Sequence, residues 1–580
     1  MNSPSGLKIL ERSVLGMILV YLILYVFLSP VLSPHDYDLI GTYYEIAWRF
    51  WLTNGGLPQF NPLLCGGRSL GADPQIPIFS PLTLLIPLFG PVALVKLEMV
   101  TSLFLGTAGL VLLLERFQIG RKGQAWGALC FLAGGGVVSR FFAGHVAMIY
   151  LFLFPLFIYL SVKLCDPQLN RRHRTRWWYW LLFIYAGLYK PHLFIYGLPL
   201  LLIEAVCRSI QTKRTKPVIE IAGATLASGL VCMVAMLPAW RFFQDFPRPT
   251  TITHVWTPLY TFVFNLLAPM KSLPKSLYGD SSLLRHEYSF FLGPIAVWLA
   301  WVGFRSKALK QSPLTLSLVV LFFASMLLGL GSHSDEFIPW NLYSWFHRFW
   351  PGFDSVRVPM RMWFGAFFVL VVLSSVGIEK TKLPQWVVIG LGALPLVISG
   401  VIALSRPVAN ATQLQWNPPR KFAVDVKLVK THPDDQYRHI RIGNGTIDCS
   451  MNLEINQSHS LKPEPMLSAK VQSDHPLAWG VERINWSRIS VIASSLAPFK
   501  IQLNQNSSPY WTFKGQGRVG TDYGLPLTVE SVNDEIKGEL AFEQPWVLRS
   551  LIISILGWLG FIGYGIFALR KEKKIPHSHE

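Results

Sequence analysis

Pro34-His35-Asp36-Tyr37-Asp38-Leu39 opens a stretch that continues through Thr42, Glu45 and Arg49 to Asn54-Gly55-Gly56. It follows directly on an apolar run, 13–33, that is long enough to cross roughly 30 Å of hydrocarbon. Two carboxylates this close to a membrane are unusual, because charge beside hydrocarbon is costly to hold. Asp38, Thr42, Glu45 and Arg49 recur at helical spacings and share one face of a helix expected over 38–53. Leu39, Tyr43, Ile46, Trp48, Phe50 and Trp51 crowd the remainder. Glu45 precedes Arg49 in the favourable order for a pair one turn apart, and Asn54-Gly55-Gly56 is a C-terminal stop. Such a helix is expected to lie in the membrane interface, with its aromatics at head-group depth. It would hold Asp36 and Asp38 where a lipid phosphate sits. The plainer reading is a surface loop whose acids only mark the outside. A fixed helix is nevertheless the better mount for catalytic groups.

The remaining sequence has the composition of a multi-pass membrane protein. Of 580 residues, 51% are hydrophobic and 15% charged, which excludes a disordered, collagen-like or disulfide-stapled chain. With the N-terminus inside, spans are expected at about 13–33, 93–115, 124–142, 146–163, 177–190, 192–207, 218–237, 289–304, 313–331, 362–378, 386–405 and 547–569. Every loop then expected inside is basic, including 171–176, 208–216 and the tail from Arg570. That is the positive-inside pattern. It accounts for much of the net charge of +19 and argues against nucleic acid as a partner. The least secure spans are the pair around Lys190-Pro191-His192, without which ten would remain. The expectation is an α-helical polytopic membrane protein with both termini cytoplasmic.

Four long segments are left outside: 34–80, 238–288, 332–361 and 406–546. The last carries 15 Lys and Arg against 14 Asp and Glu and alternates like a strand, as in Arg488-Ile489-Ser490-Val491-Ile492-Ala493 and Phe499-Lys500-Ile501-Gln502-Leu503. It reads as a small β-rich outer domain, tethered by the helical module 1–405 and by the last span and basic tail, 547–580. Of six cysteines, only Cys65 and Cys449 fall outside, where a bridge between them is open but not the favoured expectation.

The stretch from Asp38-Leu39 through Asn54-Gly55-Gly56-Leu57-Pro58-Gln59-Phe60-Asn61-Pro62, Cys65-Gly66-Gly67, Pro74-Gln75 and Phe79-Ser80-Pro81-Leu82 resembles the first outer loop of the YfhO family of bacterial membrane proteins. That family belongs to the GT-C class of integral-membrane glycosyltransferases. Ser139-Arg140 with Gly144-His145, Glu287-Tyr288 with Gly293-Pro294, and Phe353-Asp354-Ser355-Val356-Arg357-Val358-Pro359-Met360-Arg361 resemble later elements in the same order. Departures fall at Thr42, Glu45 and Phe60, where the family often has Gln, Pro and Trp. The resemblance implies transfer of a sugar from a polyprenyl-phosphate donor to a glycan or lipid acceptor on the outer face.

The residues suit that chemistry. A carboxylate must take the proton of the acceptor hydroxyl as the C–O bond forms, and the departing phosphate needs cations. Asp38 is the candidate base, with Asp36 as its partner or alternative. A divalent cation, if the reaction uses one, would sit on the same pair. Arg357 and Arg361, which flank Pro359, are the first candidates for phosphate, since Arg offers two parallel donors. Head-group anchoring is their plainer role. Arg140 and His145 sit at an outer turn, where helix-end capping and interface anchoring compete with substrate binding. Lys190 and His192 are an odd polar pair at depth, and Glu287 precedes a span. Trp256, Tyr260 and the Trp-rich 340–350 segment could stack on sugar rings, although interface belts also predict them. A transporter or flippase of lipid-linked glycans, or a non-catalytic scaffold of the same fold, are the other readings. Against transport, the chain shows no matching Gly/Pro-broken spans in two similar halves.

Overall fold

The computed structural model describes residues 36–53, 57–70, 76–143, 145–166, 169, 172–188, 192–245, 257–267, 289–306, 315–332, 338–353, 356, 358–384, 387, 390, 426–430, 439–440, 444–447, 461–473, 475, 477–520 and 525–573. Helix α1 (Asp36–Thr53) forms where the spacing predicts it, starting two residues earlier. Strands β1 (Phe60–Asn61) and β2 (Arg68–Ser69) make a short hairpin after it. Ser80 then caps a 3₁₀ turn, Pro81–Leu85, by accepting from the Leu82 N–H. That turn leads into α2 (Ile86–Arg116), which is kinked at Gly90-Pro91.

The helical part continues with α3 (Arg121–Ala133), α4 (Gly135–Ala143), α5 (Ile149–Leu164), α6 (Arg172–Gly187), α7 (Leu198–Thr212) and α8 (Lys216–Asp245). It is completed by α9 (Leu259–Leu267), α10 (Pro294–Phe304), α11 (Thr315–Gly329), α12 (Leu342–Phe349), α13 (Trp363–Glu379) and, after the strands, α14 (Pro545–Lys573). Among the described residues six helical stretches are long and apolar enough to cross a membrane: Pro81–Arg116, Val146–Leu164, Leu193–Thr212, Lys216–Arg241, Pro359–Glu379 and Pro545–Lys571. Pro294–Phe304 and Thr315–Gly329 are apolar but shorter. The expected spans at 13–33 and across most of 386–405 lie outside the described residues.

The single span expected over 124–142 is instead two helices, α3 and α4. The chain extends at Gly134, which lies against the Phe367 ring, and the Gly135 N–H donates to the Phe291 carbonyl at 2.8 Å. Elsewhere glycine lets backbones touch. A Cβ at Gly303 would overlap the Leu373 carbonyl, and one at Gly377 the Leu299 carbonyl, so α10 and α13 meet backbone to backbone.

The basic loops gather at one end of the bundle. Arg116 pairs with Asp166, Lys122 donates to the Thr381 carbonyl at 2.6 Å, and Arg176 reaches both Glu220 and the Tyr564 hydroxyl.

At the other end the strands form two antiparallel four-stranded sheets, in the orders β10-β11-β8-β5 and β6-β7-β12-β9. Here β5 is Ala469–Gln472, β6 Ala478–Asn485, β7 Arg488–Ser494, β8 Lys500–Asn506, β9 Trp511–Gln516, β10 Arg518–Gly520, β11 Pro526–Glu530 and β12 Glu535–Phe542. The expected alternation buries Ile489, Val491 and Ala493 on β7 and Ile501 and Leu503 on β8. Before them, β3 (Leu428–Val429) and β4 (Gly445–Thr446) pair in parallel.

This region is clamped onto the first loop rather than merely tethered. The Gly66 N–H donates to the Thr446 carbonyl at 2.7 Å, the Asn506 N–H to the Gly66 carbonyl at 2.9 Å, and Ser69 Oγ to Gln544 Oε1 at 2.7 Å. The Phe60 ring packs at 5.0 Å from both Trp511 and Phe542. Cys65, at φ +58°, is disulfide-bonded. Cys130, Cys165, Cys207 and Cys232 are free, and Cys449 lies outside the described residues. A disulfide at Cys65, in the first loop expected outside, is one that an oxidising compartment allows.

Loss of this cross-link should be felt as stability. In detergent, Cys65→Ser should lower the melting midpoint by about 4–10 °C, and reductant should lower the parent by the same amount while leaving the variant unchanged. A reductant-insensitive parent would contradict the bridge.

Candidate active site

Helix α1 departs from the expected interfacial helix in one respect. Its polar face is buried: Thr42 and Glu45 are 0% exposed and Arg49 is 2% exposed. Tyr43, Tyr44, Ile46, Ala47 and Phe50 are buried as well, while Trp51 and Leu52 at the C-terminal end remain open. The cause is the packing around it. The start of α2 lies alongside, Trp486 of the β6–β7 turn meets Phe50 at 5.8 Å, and Trp51 Nε1 donates to the Ile78 carbonyl at 2.7 Å. A polar face inside protein must be paired. Arg49 Nε donates to Glu45 Oε1 at 2.9 Å, and the Tyr44 hydroxyl donates to Glu98 on α2.

Asp36 and Asp38 occupy the first turn of α1, and their side chains lie outside the described residues. The same helix packs against the 3₁₀ turn Val146–Met148, which follows His145. His145 is buried, and its N–H donates to the Arg140 carbonyl at 3.0 Å. Arg140 is also fully buried, so it does not anchor to an interface. Its Nη1 donates to the Gly136 carbonyl at 2.9 Å, and its guanidinium lies 4.7 Å from the Phe290 ring centre.

A second group forms around Tyr196. The chain enters α7 through a wide i→i+5 turn, Leu193–Gly197, a distortion frequent at functional sites. His192 stacks on Tyr196 at 5.9 Å with the planes 6° apart, and Tyr196 stacks on Tyr150 of α5 at 6.5 Å and 11°. The Arg361 guanidinium lies 5.6 Å from the centre of the Tyr196 ring. Thus His192 and Arg361, 169 positions apart in the sequence, meet on one ring.

The outer segment holds this stack in place. Trp350 Nε1 donates to the Phe194 carbonyl at 3.0 Å, and the Tyr343 hydroxyl donates to the Val356 carbonyl at 3.2 Å. Burial, with Tyr196 nearby, pushes the Tyr343 hydroxyl well above the usual tyrosine range, so it keeps its donor proton. Val356, Val358 and Met360 are buried, which fixes the backbone on both sides of Arg357. Arg357, Lys190, Glu287 and Trp256 lie outside the described residues. Trp340, Trp345 and Tyr260 are exposed.

Sequence reading passed over Lys96 and Glu98, which are buried inside α2, and Tyr44, which reaches Glu98. The signal was present: ionisable residues inside an apolar run are functional candidates by default. Tyr150 and Tyr196 gave no such signal, because an isolated tyrosine in an apolar run looks like packing. Among the described residues no group of three or more His, Cys, Asp or Glu side chains is placed to hold a metal ion.

Fold and site can be set beside known proteins. No protein-family model and no curated protein matches the chain. A cryo-EM structure of the arabinofuranosyltransferase AftD from mycobacteria is similar at 14% identity, with a TM-score of 0.41 over 68% of this chain. The match spans 26% of the AftD chain.

The buried pair on α1 makes a sharp prediction. Arg49→Met alone should destabilise the protein by about 3–5 kcal/mol, because it takes a cationic partner from the buried Glu45 carboxylate. The Glu45→Leu/Arg49→Met double variant should recover most of that loss in a denaturation series. A double variant as unstable as the single would show that the pair is not the cause.

Proposed function

We propose that this protein is a membrane glycosyltransferase of the GT-C type. It moves a sugar from a polyprenyl-phosphate donor to a cell-surface glycan or lipid acceptor on the outer face of the bacterial inner membrane. The observation that carries the reading is the mounting of α1: a helix with two carboxylates in its first turn, fixed against α2 and the turn after His145. The resemblance of the first loop and of the Arg-x-Pro-x-Arg element supports it, as do six helices among the described residues that are apolar enough to span a membrane. The basic loops at one end of the bundle, and a disulfide at the other, support cytoplasmic termini and an outward-facing loop.

In this reading the acceptor oxygen attacks the anomeric carbon while Asp38 takes the hydroxyl proton, and Asp36 holds or substitutes for it. The anomeric C–O bond to phosphate breaks, and the phosphate leaves with the electron pair. Inversion follows from a single displacement. Arg357, Arg361, Arg140, His145, Lys190, His192 and Glu287 are assigned to substrate, with Arg361 nearest the departing phosphate and held there over the buried Tyr196 ring. A divalent cation, where transfer depends on one, is assigned to Asp36 and Asp38. The module 1–405 would carry the chemistry, and 406–546 would hold the first loop in place.

Asp38→Asn should cut transfer in membranes supplied with polyprenyl-phosphate sugar by about 10²–10⁴-fold, with normal insertion and accumulation. Full activity in the Asp36→Asn/Asp38→Asn double variant would overturn the assignment. Movement of the lipid across proteoliposomes regardless of Asp38 would favour transport. Arg361→Ala should raise the KM for the lipid donor about tenfold with a smaller effect on kcat. Unchanged donor dependence would remove Arg361 from the site.

A further inference from the structure

At the basic end of the bundle, the ends of α5 and α7 and the start of α8 enclose a cavity of about 260 Å³. Cys165, Arg208, Thr212, Arg214, Lys216 and Pro217 line it. Three of these side chains are cationic and none is a carboxylate. We propose that this cavity binds the phosphate of an anionic membrane lipid in the leaflet on the basic-loop side.

Arg208 shows that the site is built for an anion. Its side chain is 4% exposed. Nε pairs with Glu204 Oε1 at 3.0 Å, and Nη2 donates to Ser161 Oγ at 2.6 Å and to Glu204 Oε2 at 3.2 Å. Nη1 has no hydrogen-bond partner among the described residues. A buried cationic donor left unmet is costly, and a phosphate oxygen in the cavity would meet it. The acids nearby are already engaged: Glu204 by Arg208, and Glu220 by Arg176 Nε and Nη2 at 2.8 and 2.6 Å. They neither line the cavity nor fill it with counter-charge.

The same helices favour a lipid as the source of that phosphate. Ile210, in the last turn of α7, is 67% exposed, and Ile219, near the start of α8, is 61% exposed. Each stands two residues from a residue that lines the cavity. Acyl chains can cover these apolar side chains while the head group enters between Arg208, Arg214 and Lys216. Basic pockets between spans on this side of a membrane are recognised lipid head-group sites. The site is independent of the sugar-transfer reading.

Cys165 supplies the probe. The full-length protein is placed in nanodiscs of phosphatidylcholine alone or with one part in five phosphatidylglycerol. Maleimide labelling of Cys165 is then followed by peptide mass spectrometry. Phosphatidylglycerol should slow labelling severalfold, and inorganic phosphate added to phosphatidylcholine discs should not. Arg214→Gln/Lys216→Gln, at near fivefold in affinity per cation, should abolish the phosphatidylglycerol effect, each variant being compared with itself across the two lipids. Equal labelling in both discs would overturn the proposal. So would protection that persists in the double variant, or protection by inorganic phosphate without any by phosphatidylglycerol.

Discussion

A carboxylate and a guanidinium shut away from water, Glu45 and Arg49, set the terms for the outer half of this protein. Two buried charges are tolerable only with good geometry and a tight surround. The surround comes from other parts of the chain: α2 and, through Phe50, Trp486 of the β region. The demand for burial therefore explains why residues beyond 460 fold against residues before 70. The Cys65 bridge and the Asn506 and Gln544 hydrogen bonds secure the same contact.

Mounting α1 this way has a consequence for chemistry. A helix held on several sides is a rigid mount for the groups it carries, which a catalytic carboxylate requires. The Arg361 side chain reaches the rim in a different manner. It follows a segment pinned by Tyr343 and by buried Val356, Val358 and Met360. It ends over an aromatic stack supplied by α5 and the wide turn before α7. Rigid backbone thus brings a buried aromatic stack and a cation to the same outer end as the first turn of α1.

Much of the fold was legible because hydrocarbon imposes length and apolarity, and the strands announced themselves by alternation. Helix α1 was legible from the spacing of Asp38, Thr42, Glu45 and Arg49. Its burial was not, because an amphipathic pattern shows a polar face without saying whether water or protein covers it. The break at Gly134 was hidden by continuous apolarity across 124–142, where only the packing of Phe367 and Phe291 decides the bend. The meeting of His192 with Arg361 depends on tertiary packing, and no local pattern could reveal it. Lys96 and Glu98 were visible as charges within an apolar run and were passed over.

In the proposed function, the outer end where α1, the His145 turn and the Tyr196 stack lie receives a lipid-borne phosphate. Photo-crosslinking with a polyprenyl-phosphate analogue carrying a diazirine beside the phosphate tests it most directly. The account predicts labelled peptides from 36–53 and from the segments bearing His192, Tyr196 and Arg361. Labelling confined to α14 or to the sheet surface, with those peptides untouched, would contradict it.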